Sequence, residues 1–204
     1  MKIREFDILK DIFEKNGHSL YIVGGTSRDI LLGIVPDDLD FVTDATPDEE
    51  KEFLPDASYS FAKYGSIHLK VNEKLVDITT FRVEGEYNDH RHPTMIEFVR
   101  DLRLDYVRRD FTINAIYLDK DYNAIDFSGG KEDLKNKIIR FIGDPDKRIK
   151  EDPLRICRAE RFASKLGFDI EKESLDAINR NRYLLNELNP VKLKEEEKKG
   201  WLGK

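Results

Sequence analysis

One cysteine, Cys157, stands in a chain of 204 residues, so neither a disulfide framework nor a cysteine metal cluster can be built. Its neighbours Leu154, Arg158 and Phe162 lie at helical spacing, which predicts a packed thiol. Long apolar runs are missing as well. None approaches membrane-spanning length, and the opening Met1-Lys2-Ile3-Arg4-Glu5-Phe6-Asp7 lacks the apolar stretch of a secretory leader. A cytoplasmic location with no membrane partner is the expectation. There is no excess of positive charge: the net charge of −6 excludes a uniformly basic nucleic-acid coat, while leaving room for a local cluster of Arg and Lys on phosphates. No internal repeat is found. The hydrophobic fraction of 39% beside a charged fraction of 37% is that of a globular chain, long enough for one substantial domain and a small appendage.

What is present is a succession of short periodic segments. Ile3, Phe6, Ile8, Leu9, Ile12 and Phe13 recur at roughly helical spacing before Asn16-Gly17, predicting a first helix. Leu20–Val23 predicts a strand that runs into Gly24-Gly25, and Thr26 or Ser27 is placed to cap a helix reaching Leu32. Further strands are expected at 39–42, 64–71 and 75–81, the last two joined by a turn at Asn72-Glu73-Lys74, with a helix opening at Pro47-Asp48-Glu49-Glu50. Residues 82–103 are charged, histidine-bearing and without period, and read as a mobile loop. A helix from Asp105 that carries Thr112–Leu118, a strand near 124–127 and a hinge at Ser128-Gly129-Gly130 follow. Leu154, Ile156, Cys157, Ala159, Phe162, Ala163 and Leu166 then make a helix, so that a helical appendage begins near 145. Lys192–Lys199 has no apolar face and is expected to be a frayed or solvated helix.

Three segments carry chemistry. Gly24-Gly25 after a strand lets backbone approach a polyphosphate at a helix N-terminus, with Arg28 adding charge-assisted bonds; a tight turn without a ligand is the plainer account. Asp38 and Asp40, two apart on an expected strand, point to one face where both can coordinate Mg²⁺, and Asp77 on a later strand can bring a third carboxylate for a two-metal site. An exposed acidic strand start accounts for the same residues. Asp152 and Arg155, read as three apart on a helix, can pair with the Watson–Crick edges of bases, and Arg158 and Arg161 repeat the spacing. The alternative is a solvated arginine face with internal Glu–Arg pairs that include Glu151 and Glu160. His68, in a strand, reads as a packed, hydrogen-bonded residue rather than a ligand, and Phe61, Tyr64 and Phe81 as core or sheet support, base stacking being the lesser alternative.

These segments, with Arg108-Arg109-Asp110-Phe111-Thr112-Ile113-Asn114-Ala115, Thr79-Thr80-Phe81-Arg82, Asp89-His90-Arg91-His92-Pro93 and Ile142-Gly143-Asp144-Pro145, resemble the signature motifs of class II tRNA nucleotidyltransferases, the CCA-adding enzymes and bacterial poly(A) polymerases. The resemblance covers most of residues 20–170. It implies an α+β fold: a DNA polymerase beta-like nucleotidyltransferase head with a mixed sheet over 1–144 and a small helical neck over 145–204, with body and tail domains missing. It implies CMP and AMP transfer from CTP and ATP to the 3′ end of tRNA. Asp38 and Asp40 would bind Mg²⁺ with Asp77 as helper. Gly24, Gly25 and Arg28 would meet the triphosphate, Arg109 and Asn114 the nucleotide and its ribose, and Asp152, Arg155, Arg158 and Arg161 the base. His90 and His92 fall in the loop that in this family coordinates the shift from CC to A addition, and its full length leans toward A addition.

The pattern departs near Pro190-Val191-Lys192-Leu193, where the family's next motif has a Glu-Arg pair and this chain at best Lys192. Transfer of CC only, of A only or of poly(A) is an alternative; so is a nucleotide-binding head without catalysis. The chain would then be a piece of a longer enzyme or half of a split one, a separate chain supplying the body and tail.

Overall fold

A computed structural model describes residues 1–85 and 94–203. In chain order the elements are helix α1 (Arg4–Lys15), β1 (Leu20–Ile22), α2 (Gly24–Leu31), β2 (Leu39–Thr43), α3 (Pro47–Phe53), β3 (Ser58–Phe61), β4 (Ser66–Val71), β5 (Lys74–Thr80), β6 (Arg82–Glu84), β7 (Ile96–Phe98), α4 (Leu102–Asp105), β8 (Ile116–Leu118), β9 (Ala124–Asp126), α5 (Gly130–Asn136), β10 (Ile138–Ile139), α6 (Pro145–Glu151), α7 (Leu154–Leu166), β11 (Asp169–Ile170), α8 (Lys172–Asn181) and α9 (Pro190–Lys198). They form two compact units, one of residues 1–83, 96–108 and 114–128, the other of 84–95, 109–113 and 129–204.

The first unit is built on a seven-stranded sheet of order β3-β4-β5-β2-β1-β8-β9. It is mixed: β2 and β5 run parallel, and β1–β2, β1–β8, β3–β4, β4–β5 and β8–β9 antiparallel. Period-two patterning sorts its residues. Leu39, Phe41, Ile67, Val76 and Ile78 turn to one face and form a core with Phe6, Leu9 and Phe13 of α1, each such side chain contributing about 1.5–3 kcal/mol by leaving water. The opposite face has a smaller apolar patch of Val23, Val42, Phe81, Leu102 and Tyr117. The residues between belong to that second face, and they are polar. The β4–β5 hairpin turns on Asn72 and Glu73, both left-handed at φ 48° and 65°, which fixes the register of every pair along it. Helix α3 begins with a capping box, Thr46 and Glu49 bonding each other's backbone N–H.

Several elements differ from the sequence expectations. Ile116–Leu118 is a sheet strand, not the end of a helix, because Ile116, Tyr117 and Leu118 are all buried and the preceding Thr112–Asn114 is only a 3₁₀ turn. Strand β3 was not anticipated: its burial is slight, and Ser58 and Ser60 give it no apolar period. The segment expected as a loop holds the paired strands β6 and β7, while His90 and His92 lie outside the described residues. Phe81 is buried as expected, but Phe61 is 52% exposed and is not core.

The second unit is mostly helical. Phe111 packs against the rings of Phe141 and Phe162 at centroid distances of 4.9 and 5.9 Å, and β10 and β11 pair in parallel. Cys157 is fully buried, and burial pushes its thiol up to about 12. Helix α9 is not simply solvated. Glu196 is buried and accepts from Arg161 at 3.1 Å, and the buried Trp201 donates its indole N–H to Glu160 at 2.8 Å. These are single anchoring residues, which a search for an apolar stripe passes over.

Candidate active site

The second face of the sheet and the β1–α2 turn form the first group of candidate residues. Gly24 has φ +70°, and a Cβ there would stand 3.2 Å from Asp40 Oδ2, so the turn needs glycine both for its backbone and for the nearness of the carboxylate. Helix α2 starts at Gly24 itself. Thr26 and Ser27 therefore lie inside the helix and do not cap it, and among the described residues no side chain does. Thr26 does something else: its Oγ1 donates to Asp38 O at 2.9 Å and accepts from Asp40 N at 2.8 Å, pinning the start of β2 to the helix.

Asp38 is consequently not on the strand. It sits in the bend before β2, exposed, and Asp40 is the first of the expected pair to enter the sheet. Asp40 is the register partner of Asp77 across the parallel β2–β5 pair, and Asp77 that of His68 across β4–β5. Directly paired residues share a face, so Asp40, Asp77 and His68 form a row opposite to the apolar row of Phe41, Ile78 and Ile67. His68 Nδ1 hydrogen-bonds Asp77 Oδ1, and the Phe61 ring meets the imidazole edge-on at 5.4 Å. Among the described residues no three His, Cys, Asp or Glu side chains close around one point as a complete metal cage. Two adjacent carboxylates suit Mg²⁺ all the same, since that ion is held by one or two carboxylates together with substrate phosphates and water.

Arg28 and Asn114 are brought together, Arg28 Nη1 donating to Asn114 Oδ1 at 2.9 Å. Both are buried, and Asp29 Oδ1 takes the other edge of the guanidinium from Nε at 2.8 Å and Nη2 at 2.7 Å. Asp29 is not singled out in the sequence; His68 is, as a packed and hydrogen-bonded strand residue, and the hydrogen bond is found, with Asp77 as its partner. The signal for that pairing was available: a two-residue turn at Asn72-Glu73 sets His68 opposite Asp77.

The remaining candidates lie in the second unit. Asp152 is not on a helix; it has extended backbone at the end of α6, and its Oδ1 accepts from Leu154 N at 3.1 Å to start α7. Arg155 is buried and donates from Nη1 to Arg148 O at 2.7 Å and to Glu151 Oε2 at 2.9 Å. Arg158 donates from Nε at 2.8 Å and Nη2 at 2.5 Å to Asp110 Oδ2. Burial alone would push the Asp110 carboxyl up, but the Arg158 charge and hydrogen bonds, with the Phe111 N–H, hold it down at about 2. Arg161 is held by Glu196. Arg109 is half-buried, and its carbonyl accepts from Arg148 Nη2 at 2.8 Å. Thr112, in the same motif, donates to Asp133 Oδ2 at 2.7 Å. The arginines of α7 thus have the internal acidic partners that the plainer account required, although the acids are Glu151, Asp110 and Glu196, and Glu160 pairs instead with Arg182.

Comparisons with known proteins are consistent in kind. Residues 20–140 match the family described as poly A polymerase head domain. The CCA-adding enzyme of Lactobacillus helveticus (strain DPC 4571) is 40% identical over 201 residues, 98% of this chain and 50% of that enzyme. The Staphylococcus aureus (strain Newman) CCA-adding enzyme is 42% identical over 171 residues, 84% of this chain and 42% of its own length. The chain spans about half the length of these curated relatives. Among solved structures, the Bacillus stearothermophilus CCA-adding enzyme in complex with CTP superposes with a TM-score of 0.87 at 35% identity, over 97% of this chain and 48% of that one. A tRNA nucleotidyltransferase complexed with a primer tRNA and an incoming ATP analog gives a TM-score of 0.73 at 34% identity, over 93% of this chain and 55% of that one.

Proposed function

The chain belongs to the poly(A) polymerase head-domain family, with its polymerase beta-like nucleotidyltransferase fold, and we propose that it is the catalytic portion of a CCA-adding enzyme. In that role it transfers CMP and AMP from CTP and ATP to the 3′ end of tRNA and releases pyrophosphate. The observation that carries this reading is the pairing of Asp40 with Asp77 on one sheet face, with Gly24 against Asp40. The relatives share the name CCA-adding enzyme, and one structural neighbour holds CTP and another a primer tRNA.

In this reading residues 1–144 are the catalytic head and 145–204 the neck. Asp40 and Asp77 would hold Mg²⁺, with Asp38, in the bend before β2, as a further candidate carboxylate. Bound there, divalent cations would supply Lewis acidity for nucleotide transfer, in the two-metal manner that three carboxylates would support. The chain's own contribution is placement. The N-terminal amides of α2, opened by Gly24 and Gly25, face an anion with the positive end of the helix dipole. Arg28 cannot swing freely: Asp29 and Asn114 hold it from two sides, so that a phosphate oxygen meets a preset guanidinium. Asn114 and Arg109 serve the ribose and nucleotide. Asp152 and Arg155, with Arg158 and Arg161 behind them, choose the base. Arg155→Ala is expected to lower the preference for CTP and ATP over UTP and GTP by about 10–100-fold, read from single-nucleotide incorporation with each triphosphate.

Cytoplasmic tRNA is the substrate in this account, and among the described residues no helix is long and apolar enough to cross a membrane. The test is to incubate the protein with Mg²⁺, labelled CTP or ATP, and tRNAs ending before C, after CC and after CCA, with and without a chain supplying body and tail domains. Growth to CCA and a stop there is the expected product. Continued A addition would make it a poly(A) polymerase, arrest at CC a partial adder, and nucleotide binding without extension under every condition a non-catalytic module.

A further inference from the structure

The row that begins with Asp40 does not end at Asp77. His68 is its next member, Ser58 the one after, each a register partner across β5–β4 and β4–β3. The His68 imidazole is bonded through Nδ1 to Asp77 Oδ1, and Phe61, from the same edge strand as Ser58, sets its ring edge-on against it at 5.4 Å. A carboxylate on a sheet with one oxygen held by a cross-strand donor has its rotation about the Cβ–Cγ bond fixed, and its second oxygen is thereby presented at one angle. Groups that bond a ligating carboxylate from behind raise the affinity and order of a metal site without touching the metal.

We infer that His68 is a positioning residue: through its bond to Asp77 it fixes the carboxylate that stands beside Asp40, and Phe61 fixes the imidazole in turn. The inference rests on the reading that Asp40 and Asp77 hold a divalent cation. It does not need His68 to ligate an ion or to move a proton, and the chemistry it asks of the ring is a single N–H donated from Nδ1 to the Asp77 carboxylate at a set place. Both backing side chains are accessible to substitution, His68 being 29% and Phe61 52% exposed, so their loss does not open the core.

The test is a double-mutant cycle on Mn²⁺ affinity, measured by electron paramagnetic resonance of the nucleotide-free 204-residue chain with unfolding temperature recorded for each variant. His68→Val, which keeps strand propensity and loses the bond, is expected to weaken Mn²⁺ binding about 10-fold or more, and His68→Asn, which keeps a nitrogen near the Nδ1 position, to restore most of that loss. Asp77→Asn should weaken binding alone, and adding His68→Val to it should cost nothing further. Should His68→Val fail to fold, His68→Ser replaces it in the cycle. Unchanged Mn²⁺ affinity in the folded variant, an equal loss in the Asp77→Asn background, no recovery with Asn, or no Mn²⁺ binding by the wild-type chain would each overturn the inference. Nucleotide transfer is measured separately: a wild-type chain that binds Mn²⁺ and obeys the cycle yet extends no tRNA under any condition would sink the proposed function and leave the role of His68 standing.

Discussion

In the sheet-based unit the candidate metal ligands are carboxylates on an open face, backed by other residues; in the helical unit the candidate base readers on α7 are arginines already bound to acids of the same unit. Asp38 is exposed and Asp40 and Asp77 are half-exposed, whereas Arg155 is buried against Glu151, and Arg161 against Glu196. The difference teaches that a short motif can be built in two ways. A metal site leaves its oxygens toward the place where an ion and phosphates arrive. A base-reading site made of long, flexible guanidiniums first spends carboxylates to hold them still, since each free arginine carries about 2 kcal/mol of rotamer entropy that an ion pair removes in advance. Loss of a residue should therefore be felt first as lost activity in one unit and as lost stability in the other.

The largest expected effect breaks or upholds the first half of that contrast. Asp40→Ala should lower nucleotide transfer about 10³-fold or more while its unfolding temperature stays near that of the wild type, because the side chain faces outward and its removal relieves charge near Asp77. Equal loss of fold and activity, seen by circular dichroism beside the incorporation assay, would make Asp40 a structural residue and erase the distinction.

Arg158→Ala tests the other half. It leaves Asp110 mostly buried without its cation, and since Arg158 is itself partly exposed, denaturant unfolding should show a loss of about 1–3 kcal/mol. The effect has a pH signature. Because the folded Asp110 carboxyl lies at about 2, below its unfolded value, the pair stabilises the protein fully above the ordinary carboxylate range and the contribution disappears as pH falls through about 2. The variant should accordingly lose most relative stability at neutral pH and little in strong acid.

Glu50, also in the sheet-based unit, is a carboxyl that faces inward. Both its oxygens are buried without a hydrogen-bond partner among the described residues, and burial, with Glu49 nearby, pushes its pKa up to about 9. Its sign is opposite to that of Asp110. Folding is favoured fully below the unfolded carboxyl value, and that advantage drains away as pH rises toward about 9. Glu50→Gln should thus stabilise the protein by several kcal/mol at pH 8, with about 5 as the upper bound, and by almost nothing at pH 4, checked by urea unfolding at both pH values.

The smallest expected effect concerns the joint that aims Asp40. Thr26→Val keeps the size of the side chain and removes the two hydrogen bonds that tie α2 to the start of β2, at about 1–2 kcal/mol of stability. Transfer should fall by more than that stability loss explains, because Asp40 N is one of the two groups released. A variant that loses stability alone would show that the joint holds the fold and does not aim the carboxylate.

Much of this was legible in the sequence where one local rule governed. The strand before Gly24-Gly25 and the Pro47 helix start depend on a few adjacent residues and follow from them; the expected turn at Asn72-Glu73-Lys74 is placed rightly but is one residue too long, since Lys74 already lies in β5, paired with Val71. The mixed sheet and polymerase beta-like fold were legible through the motifs rather than through periodicity, since β-strands of three residues such as β1 and β8 are too short to show a period. The helical expectation for Ile116–Leu118 and the strand expectation for Asp38 fail for one reason: pairing or bonding with residues distant in sequence decides the backbone there. Asp152 leaves the helix for a local one, ending one helix and accepting from Leu154 N to start the next. Thr26 looks like a cap from its neighbours alone and is a bridge only because Asp38 and Asp40 return beside it. The acidic partners of the α7 arginines were hidden for the same reason: Asp110 is 48 residues from Arg158 and Glu196 is 35 from Arg161, and sequence spacing shows partners only within a helical turn or two.

Whether Asp40 and Asp77 share a cation would be visible in a crystal structure of the protein soaked with Mn²⁺ and CTP. The account predicts an anomalous peak in contact with carboxylate oxygens of both Asp40 and Asp77, beside Gly24 and bridged to the triphosphate. A peak bound to neither, with the triphosphate away from the N-terminus of α2, would contradict it.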